Sequence, residues 1–150
     1  NLAKEALRQR ADWNDAKISL AEFEEGATIV QVEIKVARGS SAGLVLQSRG
    51  RDLAELRALS DGSIRLQSGG GKQVVQLESK NGGWRLCKLV VVDSKLIGTV
   101  DRTKFESIEL PTSPEQLSAS LSTYKSQAQF RNFAGIAADG RVLVSAFKKD

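Results

Sequence analysis

Histidine and methionine are absent from the 150-residue sequence, cysteine occurs once, proline twice, and aromatic residues make up 5% of it. Each shortage removes a class of chemistry. Without histidine there is no serine–histidine triad, no histidine-containing zinc site and no side chain whose ordinary pKa lies near neutrality. The lone Cys87 cannot close an internal disulfide, so the fold is not a disulfide-stapled miniature. Set inside an apolar run, Cys87 is expected to be a small buried hydrophobe rather than a nucleophile. No apolar run approaches the ~20 residues of a membrane-spanning helix, so membrane insertion is not expected. The first residue is Asn rather than Met, and the chain reads as a processed protein or a piece of a longer one.

What is present points to one globular domain. Hydrophobic residues make up 41% of the chain, enough at this length to enclose a core. The 22 basic and 18 acidic residues leave a formal charge of +4, and the two signs are interleaved. Nucleic acid is therefore a poor fit, since its binders concentrate basic residues on one face and add stacking aromatics.

Strand signals recur through the chain. Gly82 to Asp101, GGWRLCKLVVVDSKLIGTVD, reads as two strands, Trp84 to Val92 and Leu96 to Val100, around an Asp93-Ser94 turn. The first arm is apolar on both faces from Leu89 to Val92, which predicts a central strand covered on both sides. Ala27 to Val36 alternates strictly, with Val30, Val32, Ile34 and Val36 on one face and Gln31, Glu33 and Lys35 on the other. Further strands are expected at Lys17 to Leu20, Gly43 to Arg49, Leu53 to Leu59, Ile64 to Gln67, Gln73 to Leu77, Ser118 to Leu121, Gln127 to Phe133 and Arg141 to Phe147. Leu53 to Leu59 has helical composition, but Ser60-Asp61-Gly62-Ser63 is a hairpin turn and needs a strand on each side. Lys104 to Leu110 alternates without a clear register. Only residues 1–12, which open NLAKEALRQR, suggest a short helix or linker, leaving 13–150 as the domain. About a dozen short strands at this spacing predict an all-β antiparallel sandwich or barrel.

The order of the motifs resembles the concanavalin A-like lectin/glucanase jelly rolls, including laminin-G-like (LamG-like) modules. The matching pieces are Ala42-Gly43-Leu44-Val45-Leu46, Ser60-Asp61-Gly62-Ser63-Ile64-Arg65-Leu66, Gly83-Trp84-Arg85-Leu86 with its hairpin to Val100-Asp101, and Phe130-Arg131-Asn132-Phe133. The resemblance implies two antiparallel sheets and an extracytoplasmic setting. Enzymes of that superfold carry closely spaced carboxylates, Glu-x-Asp-x-x-Glu, because retaining cleavage places an acid and a nucleophile about 5 Å apart. The sequence has no such motif. Glu22, Glu24, Glu25, Glu106 and Glu109 suit solvated edges, while Asp52, Asp61, Asp93 and Asp139 suit Asx turns better than a calcium site.

These readings leave the polar faces as the candidate site. Glu33, Gln47, Arg49, Arg57, Arg65 and Gln67, with Gln31, Lys35 and Glu55, are expected on neighbouring strands of one sheet face. Planar amides and guanidinium forks on a rigid sheet suit sugar hydroxyls or carboxylated sugars. The plainer alternative is a wet face of cross-strand Glu–Arg pairs. Trp13, Trp84 and Tyr124 are candidates to stack on a sugar ring, although Trp84 at the start of a central strand suits the core. The expected role is a non-catalytic module, without cofactor or metal, binding carbohydrate or a protein surface. A structural domain that docks a neighbour or forms a homo-oligomer is the competing reading, and a sugar-processing enzyme the third.

Overall fold

The computed structural model describes residues 7–9, 16–22, 27–37, 39–69, 71–77, 83–110, 117–124, 128–137 and 139–146, with side chains from residue 29 onward except 124, 143, 144 and 146. Fourteen strands run through these residues. They are β1 (Leu7–Gln9), β2 (Ala16–Glu22), β3 (Ala27–Val36), β4 (Ser41–Ser48), β5 (Arg51–Leu59), β6 (Ser63–Ser68), β7 (Gly71–Gln76), β8 (Trp84–Val92), β9 (Lys95–Val100), β10 (Thr103–Lys104), β11 (Ile108–Glu109), β12 (Leu117–Tyr124), β13 (Ala128–Ala137) and β14 (Val142–Ala146). Two antiparallel sheets result. The six-stranded sheet has the order β2, β12, β4, β5, β6, β7; the eight-stranded sheet runs β1, β13, β3, β8, β9, β10, with β14 beside β13 and β11 beside β9. Among the described residues no helix is long and apolar enough to cross a membrane.

Side-chain alternation decides what lies between the sheets. In the six-stranded sheet, Leu121, Leu44, Leu56 and Leu66 are register partners in one line, each buried. Facing them are Val30, Leu89 and Gly98, in line across β3, β8 and β9, beside Val32, Cys87 and Val100. The sheets pack tightly at Gly98, where an added Cβ would stand 3.0 Å from Leu66 Cδ2 of the facing sheet and 3.6 Å from Leu89 Cδ2 of the neighbouring strand. At one edge the layers are clipped by polar bonds: Gln73 Nε2 donates to the Glu106 carbonyl at 3.0 Å, and the Glu106 amide returns a bond to Gln73 Oε1 at 2.8 Å.

The expected hairpin at residues 60–63 forms. Asp61 Oδ1 accepts from the Ser63 amide at 2.9 Å and the Ser63 hydroxyl at 2.6 Å, an Asx turn that holds the carboxyl below its ordinary pKa. Because these bonds favour the ionised form, their contribution is present above the ordinary carboxylate range and lost as pH falls through the lower folded value. Gly62 adopts φ +90°, and a Cβ there would meet the Leu77 carbonyl at 2.8 Å, so only glycine fits.

Three expectations are corrected. The N-terminal helix is replaced, where the chain is described, by strand β1, whose Leu7, Arg8 and Gln9 pair with Phe130, Gln129 and Ala128; residues 1–6 and 10–15 lie outside the described residues. A ten-residue helix is marginal alone, and pairing along β13 satisfies the backbone of both segments. Strand β8 does lie between β3 and β9, but only one of its faces is buried, with Val92 51% exposed. Its outer residues Trp84, Leu86, Lys88 and Val90 are only half-buried. Lys104 to Leu110 is not one strand but two short pieces, β10 and β11, that pair with β9, with Phe105 between them and Leu110 beyond them both buried. The sequence also carries turn signals at Glu24-Glu25-Gly26, Asn81-Gly82 and Pro111 to Pro114, all of which lie outside the described residues.

Two measurements check this packing. Gly98→Val is expected to destabilise the fold by about 1–3 kcal/mol through overpacking, with Leu66→Ala in the same chain recovering part of the loss as the two sites couple; chemical denaturation midpoints read both. Cys87 is fully enclosed, and burial pushes its thiol up to about 12. It is expected to resist a thiol reagent at pH 8 until the chain unfolds. Since the unfolded thiol ionises first, stability should decline as pH rises above the unfolded value near 9.

Candidate functional site

The strands that send leucines inward send a polar set outward. Ser122, Gly43, Arg57, Arg65 and Val74 are register partners in one line across β12, β4, β5, β6 and β7. Beside them runs a second line, Ser120, Val45, Glu55, Gln67 and Lys72, and a third pairs Ser118 with Gln47 and Asp52. Toward β12 this face is buried, since Val45, Ser120 and Ser122 are all enclosed; toward β6 and β7 it opens, with Gln67, Lys72 and Val74 exposed.

Arg57 anchors the enclosed half. It lies on the outer face yet is 6% exposed. Its Nη1 donates to Ser41 Oγ and its Nη2 to Ser122 Oγ, both at 2.7 Å, while Nε and Nη2 grip Glu55 at 2.9 and 3.2 Å. The forked guanidinium thereby bridges three adjacent strands, β12, β4 and β5, across Gly43. A Cβ on Gly43 would stand 3.2 Å from the Leu56 carbonyl and 3.3 Å from Glu55 Cγ, so the glycine leaves the room in which Glu55 lies. A charge this enclosed persists only when paired and hydrogen-bonded, and both conditions hold here.

Arg65 differs. It stands directly across from Arg57, a placement that sets like charges side by side. Glu55 is already committed to Arg57, and Arg65 Nε is buried without a partner among the described residues. Gln47 Nε2 donates to Asp52 Oδ1 at 2.9 Å, leaving its carbonyl oxygen available. Gln67 is exposed two residues beyond Arg65 on the same strand face.

Of the six residues expected to form one site, Gln47, Arg57, Arg65 and Gln67 are brought together on this face. Arg49 is in the turn from β4 to β5 with a left-handed φ of 52°, exposed at the end of the sheet. Glu33 is corrected: with Gln31 and Lys35 it lies on the outer face of the other sheet, paired against β13 and β8. Alternation within β3 shows which residues share a face; it does not show which sheet the strand joins, because that depends on partners distant in sequence. Trp84 is also corrected, for it is half-buried on that same outer face, where the Arg131 guanidinium lies 3.9 Å over its ring. Trp13 and the side chain of Tyr124 lie outside the described residues.

The sequence reading overlooked the serines. Ser118, Ser120 and Ser122 recur at every second position of β12, the polar half of an alternating strand, and that period was the signal available. Among the described residues no group of three or more cysteine, aspartate or glutamate side chains could hold a metal ion.

No family model matches the chain, and no curated protein matches it in sequence. Solved structures match it in fold. The carbohydrate-binding module CBM66 from Bacillus subtilis superposes with a TM-score of 0.57 at 12% identity, over 84% of this chain and 83% of that one. A Bacillus licheniformis beta-glucanase gives 0.62 at 9% identity, over 83% and 74%. A toad ovary galectin, solved with thio-digalactose, gives 0.55 at 13% identity, over 79% and 96%. At such identities the likeness is one of architecture alone: the two antiparallel sheets form a concanavalin A-like jelly-roll fold.

Proposed function

We propose that this chain is a non-catalytic recognition module that takes carbohydrate on the outer face of its six-stranded sheet, over β5, β6 and β7. The observation that carries the reading is Arg65: a guanidinium set beside a second arginine, its Nε buried and unpaired among the described residues, next to the exposed amide of Gln67. Sugar hydroxyls and carboxylates supply the acceptors that such a group lacks. The Arg57 network beneath is ordered before any ligand arrives, which lowers the entropy lost on binding. Two of the structural neighbours named above, a carbohydrate-binding module and a galectin bound to a thio-digalactose, are sugar binders by name.

A binding role suits this face better than glycoside cleavage, although a glucanase shares the fold. Glu55 accepts a bond from Arg57 on each of its carboxylate oxygens, so neither oxygen is free to approach a glycosidic leaving group. An extracytoplasmic setting accompanies the reading, because glycans and polysaccharides of that kind are met outside the cytoplasm. The competing role, docking a protein or a second copy, is favoured by one feature: β7 is an edge strand and Val74 on the same face is 57% exposed.

Glycan-array screening followed by calorimetric titration decides between them. The reading predicts binding that Arg65→Ala or Gln67→Ala weakens about tenfold or more without loss of stability, the scale of one hydrogen bond to a charged or oriented group. Arg57→Met should instead cost about 2–4 kcal/mol of folding stability, since it strands Glu55 and two buried hydroxyls. A blank array together with a solution mass that rises with concentration would replace sugar recognition by docking.

A further inference from the structure

The outer face of the eight-stranded sheet carries a second built cluster, on the far side of the sandwich from the face proposed above. Strand β13 has a bulge between Arg131 and Ala134: Arg131 pairs with Glu33 and Ala134 with Gln31, so three steps on one strand match two on the other. The extra residue lets Phe130 and Phe133 both point into the core, each 1% exposed, while the consecutive Arg131 and Asn132 both reach Glu33. Asn132 takes the left-handed conformation the bulge needs, φ 54°, which asparagine tolerates better than most residues.

Around this bulge lies a cleft of about 470 Å³ lined by Glu33, Trp84, Leu86, Asp101, Arg102 and Arg131. That volume falls within the range of small-ligand sites, roughly 300–1,000 Å³. Both of its carboxylates are already engaged. Glu33 accepts from Arg131 Nη2 at 3.1 Å and from Asn132 Nδ2; Asp101 accepts from Arg85 Nη1 at 3.1 Å and from the Leu86 amide at 3.0 Å. The donors are not exhausted. Arg131 Nε is buried without a partner, and exposed Arg102 has none, among the described residues. Beside them Trp84 and Leu86, two residues apart on β8, offer a half-buried apolar floor, and the Trp84 ring holds the Arg131 guanidinium in a fixed plane.

Spare guanidinium donors next to an apolar floor fit a ligand with a negative group on a ring that has an apolar face. We infer that this cleft is a second, separate ligand site that takes an acidic sugar, its carboxylate between Arg102 and Arg131 and its ring against Trp84 and Leu86. The chemistry is that of a charge-assisted, forked hydrogen bond to an oriented arginine. The inference does not depend on sugar binding at the six-stranded sheet, because the two surfaces lie on opposite outer faces.

The test is a nitrogen-15 NMR titration of the full chain with methyl glucuronide, alongside the neutral methyl glucoside and acetate. The expected result is movement of the Trp84 indole signal and the Leu86 and Asp101 amides with the glucuronide, little with the glucoside, and weaker movement with acetate. Arg102→Gln, a change at an exposed position, should leave the melting temperature unchanged and weaken the glucuronide about tenfold. No movement at these signals, equal movement with the glucoside, acetate matching the glucuronide, or undiminished binding by Arg102→Gln would each overturn the site. Shifts confined to Arg65 and Gln67 would overturn it while leaving the other face's role intact.

Discussion

Side chains alternate across a strand, so once Leu44, Leu56 and Leu66 are committed to the interior, their neighbours Gly43, Arg57 and Arg65 must face the opposite way. The interior commitment is firm because these leucines share one buried cluster with Leu89, and Leu66 leaves no room for a side chain on Gly98 of the second sheet. Sliding one strand by a single residue would expose the leucine row and place arginine between the sheets. The arrangement of polar groups on the outside is therefore a consequence of the dry layer inside, fixed by the same register.

That constraint creates a difficulty and its solution together. The outer face is enclosed over β12, β4 and the Arg57 position of β5, so an arginine there cannot reach water freely. Arg57 is accommodated by a carboxylate two residues away on its own strand and by serine hydroxyls from the two strands on its other side, over a glycine that leaves space. Toward β6 and β7 the enclosure ends, and Arg65 and Gln67 present similar groups without the same satisfaction. This gradient, from the enclosed and fully bonded Arg57 to the half-buried Arg65 and exposed Gln67, is the basis of the role proposed for this face. The other sheet arrives at a comparable arrangement by a different device, a bulge that turns Arg131 and Asn132 outward together around Glu33.

The fold was legible because alternation and turn chemistry agree along most of the chain. Ala27 to Val36 has the bounds that its period-two pattern suggests, and Asp61-Gly62 forms the hairpin its residue types require. The opening segment misled because Leu, Ala, Glu and Lys favour helix locally, whereas β1 is decided by an available edge on β13 more than a hundred residues away. The site was half legible for the same reason. Gln47, Arg57, Arg65 and Gln67 come from three consecutive hairpin strands whose pairing can be inferred from their turns, so their shared face followed. Glu33 did not follow, since β3 is next to β4 in sequence but belongs to the other sheet. The alternation of Ser118, Ser120 and Ser122 is visible in the sequence, but that Ser122 lies against Arg57 is not, because β12 reaches β4 only after strands of both sheets have been threaded.

Everything claimed for the six-stranded face rests on the Arg57 network being formed in the free protein. Hydrogen exchange of the Arg57 Nε proton, followed by nitrogen-15 NMR without ligand, measures this directly. The structure predicts a single sharp signal whose exchange is slowed toward that of the core amides and far below that of exposed Arg102. Exchange as fast as that of Arg102 would mean that the guanidinium swings free, and the account of a pre-ordered binding face would be wrong.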